Sequence, residues 1–104
     1  MQYLVILTTK KKFETEGMPA DFKEEHVKEL VQGQVLYAQG LLRQSWELDL
    51  EQLGSKQHGA ACIFEADSTQ HLQGMIDSFP NVKTDYVDYQ VFPLKPDPAY
   101  TQNI

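Results

Sequence analysis

Cysteine occurs once in this chain of 104 residues, at Cys62, so no intrachain disulfide can form and packing alone must hold the fold. A lone cysteine fits a reducing cytoplasmic setting better than a secreted one. It sits within Ala60-Ala61-Cys62-Ile63-Phe64, where a small buried hydrophobe is the expected role rather than a reactive thiol. No apolar run approaches the ~20 residues that a membrane span requires. The apolar start, Met1 to Thr9, is followed by Lys10-Lys11-Lys12, whereas a signal peptide carries its positive charge first. Basic residues are scarce: nine Lys and Arg against fifteen Asp and Glu leave a net charge of −6. That field repels nucleic acid and anionic bilayers, so neither is expected as a partner. Also missing are a Gly-rich phosphate loop, a dinucleotide fingerprint and a nucleophile elbow. The three histidines lie far apart, and none stands at ligand spacing to a matching residue, so no metal is expected. Chemistry without a cofactor, or binding alone, is what remains.

What the chain does have is material for one core. Its apolar fraction of 41%, with five Phe, five Tyr and one Trp, suits a single packed domain rather than a disordered segment. A domain of this size buries roughly 60 to 70% of its extended-chain surface, so it can fold without a metal or a crosslink. Gln2 to Thr9 is rich in β-branched and aromatic residues and reads as a strand buried on both faces. Lys10 to Met18 is a polar loop. Pro19 then opens a helix, with Asp21, Glu24 and Glu25 at the positive end of its dipole. Phe22, Val27, Leu30, Val31, Val35 and Ala38 recur at three- and four-residue steps, a wide apolar stripe running to about Gln39. Gly40 is placed to end the helix in a left-handed cap.

Leu41 to Leu50 alternates as a strand, Glu51 to His58 is a hairpin loop, and Gly59 to Ala66 is a short apolar strand. Asp67 or Ser68 caps a second helix, whose Leu72, Met75, Ile76 and Phe79 form a stripe before Pro80 stops it. Asp85 to Leu94 is the last strand, with Val87, Tyr89 and Val91 on one face and Tyr86, Asp88, Gln90 and Phe92 on the other. The order strand, helix, strand, strand, helix, strand makes two split βαβ units with right-handed crossovers. It predicts an α+β, ferredoxin-like domain over residues 1–94, with a four-stranded antiparallel sheet and both helices on one face. A proline-containing tail, 95–104, follows. Two helices leave the other sheet face bare, with Tyr86, Phe92 and Trp46 as candidates to stand on it. A homodimer, or a higher homo-oligomer, is expected to cover that face, the alternative being the tail folding back over it.

The run Ala38-Gln39-Gly40-Leu41-Leu42-Arg43-Gln44-Ser45-Trp46 resembles the helix end, glycine and Arg-x-x-Trp strand of the muconolactone δ-isomerases. Cys62-Ile63-Phe64-Glu65-Ala66-Asp67-Ser68 and Ser78-Phe79-Pro80 resemble that family's third strand, helix start and helix-ending proline. The block from Gly59 to Ser68, with His26 in the first helix, is also similar to the YCII-like proteins. Both families belong to the dimeric α+β barrel group, so the resemblance implies that fold and a dimer. The isomerase side of it implies a cofactor-free proton shift within a small unsaturated or lactone-type acid. The YCII-like side implies a non-catalytic small-molecule-binding or accessory module instead. The loop Glu51 to His58 looks longer than the isomerase family's connection, and the tail is not the family's.

His26 lies between Phe22 and Leu30 on the expected inward stripe, and an imidazole there suits acid–base work near neutral pH. It matches a helix-borne histidine of YCII-like proteins, although a half-buried histidine bonded to a loop is the plainer reading. Glu25 and Glu29 are expected to face solvent. Arg43 presents a fork suited to a substrate carboxylate, and Trp46 beside it offers a wall for a flat ligand. The plainer readings are a surface or dimer ion pair and a core tryptophan. Tyr86 and Asp88 share a strand face, where Asp88 serves either a pocket or an interface with Arg43. His58 and His71 are expected in solvent. The candidate set is therefore His26 and Asp88 for catalysis, with Arg43, Trp46 and Tyr86 for substrate binding. Light scattering at micromolar concentration should give twice the 11.9 kDa of one chain; the mass of a single chain would mean the bare face stays uncovered.

Overall fold

A computed structural model describes residues 1–101. Along the chain run β1 (Gln2–Thr9), α1 (Phe13–Glu16), α2 (Phe22–Ala38), β2 (Leu42–Leu48), a 3-10 turn (Leu50–Leu53) and β3 (Gly59–Glu65). They are followed by α3 (Thr69–Asp77), α4 (Pro80–Lys83), β4 (Val87–Pro93) and α5 (Pro98–Thr101). The strands form one antiparallel sheet in the order β2-β3-β1-β4, the ferredoxin-like α+β arrangement that the element order predicts.

Local chemistry sets the boundaries. Gly40, at φ 76°, closes α2: its N–H donates to the Tyr37 carbonyl at 3.0 Å, and that of Leu41 to Leu36 at 2.9 Å. Only a residue at ease with positive φ allows this pair of bonds. Ser68 caps α3 by accepting the His71 N–H at 3.1 Å. Pro80 does more than stop a helix: it begins α4, where its missing N–H costs nothing. A second left-handed residue, Asp85 at φ 63°, closes α4 in the same way as Gly40, with Asp85 N–H on Val82 and Tyr86 N–H on Asn81. The last strand therefore starts at Val87, and Tyr86 stands before it rather than on it.

Tyr3 and Val5 of β1, Phe64 of β3, and Leu72 and Ile76 of α3 are almost fully buried at the centre. Phe79 closes the cluster, its ring 5.9 Å from that of Phe64. The α3 stripe thus packs as its spacing predicts. The α2 stripe does not: Val27, Leu30, Val31 and Val35 are each more than half exposed, and only Leu36 of this helix is buried. The helix is turned by polar contacts on its other side. Gln32 Nε2 donates to Ser78 Oγ at 2.5 Å, and the Glu29 carboxylate accepts from Asn81 of α4. These bonds tie α2 to the end of α3 and to α4, and a space remains between the helix and the sheet.

On the sheet's other face the register aligns Leu4, Ile63, Gln44 and Phe92, and next to them Ile6, Ala61, Trp46 and Gln90. Trp46 is 52% exposed and Phe92 45%, and the described tail leaves them so, with Tyr100 itself in solvent. Replacing Ile76 by Ala should cost about 2–5 kcal/mol in urea unfolding, whereas Val31→Ala should change stability by no more than about 0.5 kcal/mol. Equal losses would mean that the α2 stripe is packed inward after all.

Candidate functional site

The space under α2 is a cleft of about 710 Å³. Strand alternation aims Ser45 and Glu47 of β2, Ala60, Cys62 and Phe64 of β3, and Leu7 and Thr9 of β1 toward it. From the helix come Phe22, His26, Glu29, Gly33 and Tyr37, spaced at three and four residues. Gly59 lets the floor close up: a Cβ there would fall 2.8 Å from the Leu7 carbonyl oxygen.

Glu29 is the chemically distinctive group. Its side chain is only 21% exposed. Oε2 accepts from Asn81 Nδ2 at 3.0 Å and Oε1 from the Asn81 backbone N–H at 3.3 Å. Burial pushes this carboxyl above its ordinary value, and the Asn81 bonds and nearby His26 offset that only in part. Asn81 is itself 1% exposed, and its Oδ1 finds no partner among the described residues. His26 stands at the mouth, with Nδ1 4.0 Å from Glu29 Oε2 and its ring stacked on Phe22 at 5.9 Å and 14°. A carboxylate and an imidazole on one cleft wall are the parts from which acid–base catalysis is built.

On the floor, Cys62 Sγ lies 3.4 Å from Ser45 Oγ. Burial pushes the thiol up, which keeps it protonated and unreactive. His58 reaches the rim because its loop is latched. Glu14 Oε1 accepts from Ser55 Oγ at 2.9 Å and from the Lys56 N–H at 2.7 Å, while Gln57 Nε2 donates to the Thr9 carbonyl at 2.7 Å. The Lys56 and Ser55 bonds hold the Glu14 carboxyl below its ordinary value. Among the described residues no group of three or more His, Cys, Asp or Glu side chains is placed to hold a metal ion.

Of the five residues singled out in the sequence, the structure brings only His26 into the cleft. Arg43 falls at a bulge, where pairing slips from Leu42–Phe64 to Gln44–Ile63, and is exposed outside it. Trp46 pairs with Ala61 and faces away from the helices. Tyr86 donates to Asp21 Oδ1 at 2.6 Å and meets the Phe13 ring edge-on at 6.0 Å. Asp88 accepts from Lys10 Nζ at 2.8 Å. Glu25 and Glu29, both expected in solvent, are only 17% and 21% exposed: Glu25 pairs with Lys28, Glu29 turns into the cleft, and the exposed His58 reaches its rim. One sequence signal could have found Glu29: Phe22, Glu29 and Leu36 lie two turns apart along one line of the helix, and the first and last are the apolar residues that dock inward.

A carboxyl whose folded pKa is raised contributes stability below its unfolded pKa, and that contribution is lost as pH rises through the folded value. Glu29→Gln should therefore raise the Tm at pH 8 and leave it nearly unchanged at pH 4, as read by calorimetry. A gain of equal size at both pH values would mean that ionisation of Glu29 is not its source.

No protein-family model matches the chain, and no curated protein matches it in sequence. Solved structures do match. Muconolactone isomerase aligns at 21% identity over 97% of this chain and 95% of its own, with a TM-score of 0.70. The 5-chloro-2-hydroxyhydroquinone dehydrochlorinase TftG of Burkholderia phenoliruptrix AC1100, solved in complex with 2,5-dihydroxybenzoquinone, aligns at 14% identity over 95% and 98%, with a TM-score of 0.67. SnoaB of Streptomyces nogalater, a cofactor-independent oxygenase, aligns at 10% over 92% and 95%, with a TM-score of 0.53. At these identities the likeness is one of fold. This chain has the muconolactone isomerase-like fold, a ferredoxin-like α+β architecture.

Proposed function

We propose that the chain is a cofactor-independent enzyme that shifts a proton between carbons of a small unsaturated or lactone-type compound, with the cleft under α2 as its active site. The observation that carries this reading is the partly buried Glu29 carboxylate with His26 Nδ1 4.0 Å away. A carboxyl raised by burial is a stronger base when ionised, and stands closer to neutrality than an ordinary glutamate. Glu29 takes a proton from the carbon beside the substrate carbonyl. The C–H electron pair moves into a new C=C bond, and the negative charge comes to rest on the carbonyl oxygen. A ring N–H of His26 donates a hydrogen bond to that oxygen; the carbonyl then re-forms, and the electron pair of the original C=C takes the proton from Glu29 at the far carbon of the conjugated system. One proton leaves and one returns, so no oxidant or reductant is needed.

The solved structures that share the fold support small-molecule chemistry of this kind, since they include an isomerase, a dehydrochlorinase and a cofactor-independent oxygenase. The working unit in this reading is a homodimer joined through the sheet face that carries Trp46 and Phe92. A two-fold partner covers that face without blocking the cleft, which opens on the opposite side of the sheet.

Incubation with unsaturated lactones in D₂O, followed by NMR, tests the chemistry. Wild type should exchange the acidic C–H, and His26→Ala and Glu29→Gln should each slow exchange by about 10²–10⁴-fold. Exchange at the buffer rate in all three proteins would remove the enzymatic reading and leave the cleft as a binding module.

A further inference from the structure

We propose that the cleft selects uncharged ring compounds carrying a hydroxyl donor and rejects carboxylates, with Glu47 as a specificity-determining residue. This rests on the reading of the cleft as the substrate site and adds the charge class of its ligand. None of the chain's nine Lys and Arg residues lines the cleft. Lys10 pairs with Asp85 and Asp88 and Lys28 with Glu25, while Lys23 and Lys56 are exposed outside the cleft. Arg43, which alone could have offered a fork to a carboxylate, is displaced by the β2 bulge to the outside.

Two carboxylates do line the cleft, one on each wall. Glu29 comes from the helix, and Glu47 from β2 through its pairing with Ala60. An ionised carboxylate only accepts hydrogen bonds, so it welcomes a hydroxyl group and repels another carboxylate. At the effective dielectric around the partly buried Glu29, one such repulsion across ~5 Å lowers affinity by about 10²-fold, and the exposed Glu47 adds a weaker repulsion of roughly several-fold. Shape argues the same way. About 710 Å³ suits a small ligand, and Phe22 and Tyr37 offer aromatic surface to a flat ring.

The test uses two compounds with one ring system and different charge, 2-naphthol and 2-naphthoate, titrated at pH 7 and followed by calorimetry and amide chemical shifts. The expected result is that 2-naphthol binds and moves the amides of Gly33, Gly59 and Cys62, while 2-naphthoate binds at least tenfold more weakly. Glu47→Gln should narrow that gap several-fold, with an unchanged Tm confirming that the variant folds. Binding of 2-naphthoate as tight as that of 2-naphthol overturns the proposal. So does a gap unaltered in Glu47→Gln, or binding of neither compound. The outcomes separate the two readings: loss of the proton-shift reading removes deuterium exchange and leaves the charge preference, whereas loss of this one removes the preference whatever the exchange shows.

Discussion

The bonds from Asn81 to the Glu29 carboxylate are the contact on which the rest of the molecule turns. They set the rotation of α2 about its own axis. With Glu29 held at 3.0 and 3.3 Å by a residue of α4, the helix keeps Val27, Val31 and Val35 more than half exposed. It rests instead on α4 and on β2, and the gap left beneath it becomes the cleft. The same contact holds the carboxylate where burial pushes its pKa above the ordinary value, so its ionisation costs the fold stability. Asn81 meets that demand at its own expense, since its buried Oδ1 has no partner among the described residues.

The two sides of the sheet then divide the work. Toward the helices, alternation along β2 and β3 lines the cleft with Ser45, Glu47 and Cys62. Away from them it assembles Trp46, Ile63, Leu4 and Phe92 into a surface with an apolar centre. Asp88 lies on that second side with Lys10. A strand residue serves the cleft or the outer face, never both, so a residue's parity along its strand decides its role before its chemistry does.

That parity explains what could be read in the sequence. The order of elements, the α3 stripe and the glycine cap at Gly40 all rest on local rules, and the structure carries them. The orientation of α2 was harder to read. Periodicity shows that a helix has two unlike faces but does not say which one meets the sheet, and here a few polar contacts to α4 decide it. A bulge between Leu42 and Gln44 leaves no mark in the alternation pattern, so the pattern alone does not place Arg43. Nothing in the neighbours of Tyr86 announces that Asp85 adopts φ 63° and closes α4 before the strand begins. Each miss is a long-range or backbone event that side-chain pattern cannot report.

A pH titration of the Glu29 side-chain carboxyl carbon by NMR reports directly on the buried carboxylate at the centre of this account. The expected result is a midpoint above the ordinary glutamate range, with the amide of Asn81 responding at the same pH. A Glu29 midpoint within or below that range would contradict the account, because burial would then not dominate the surroundings of the carboxylate.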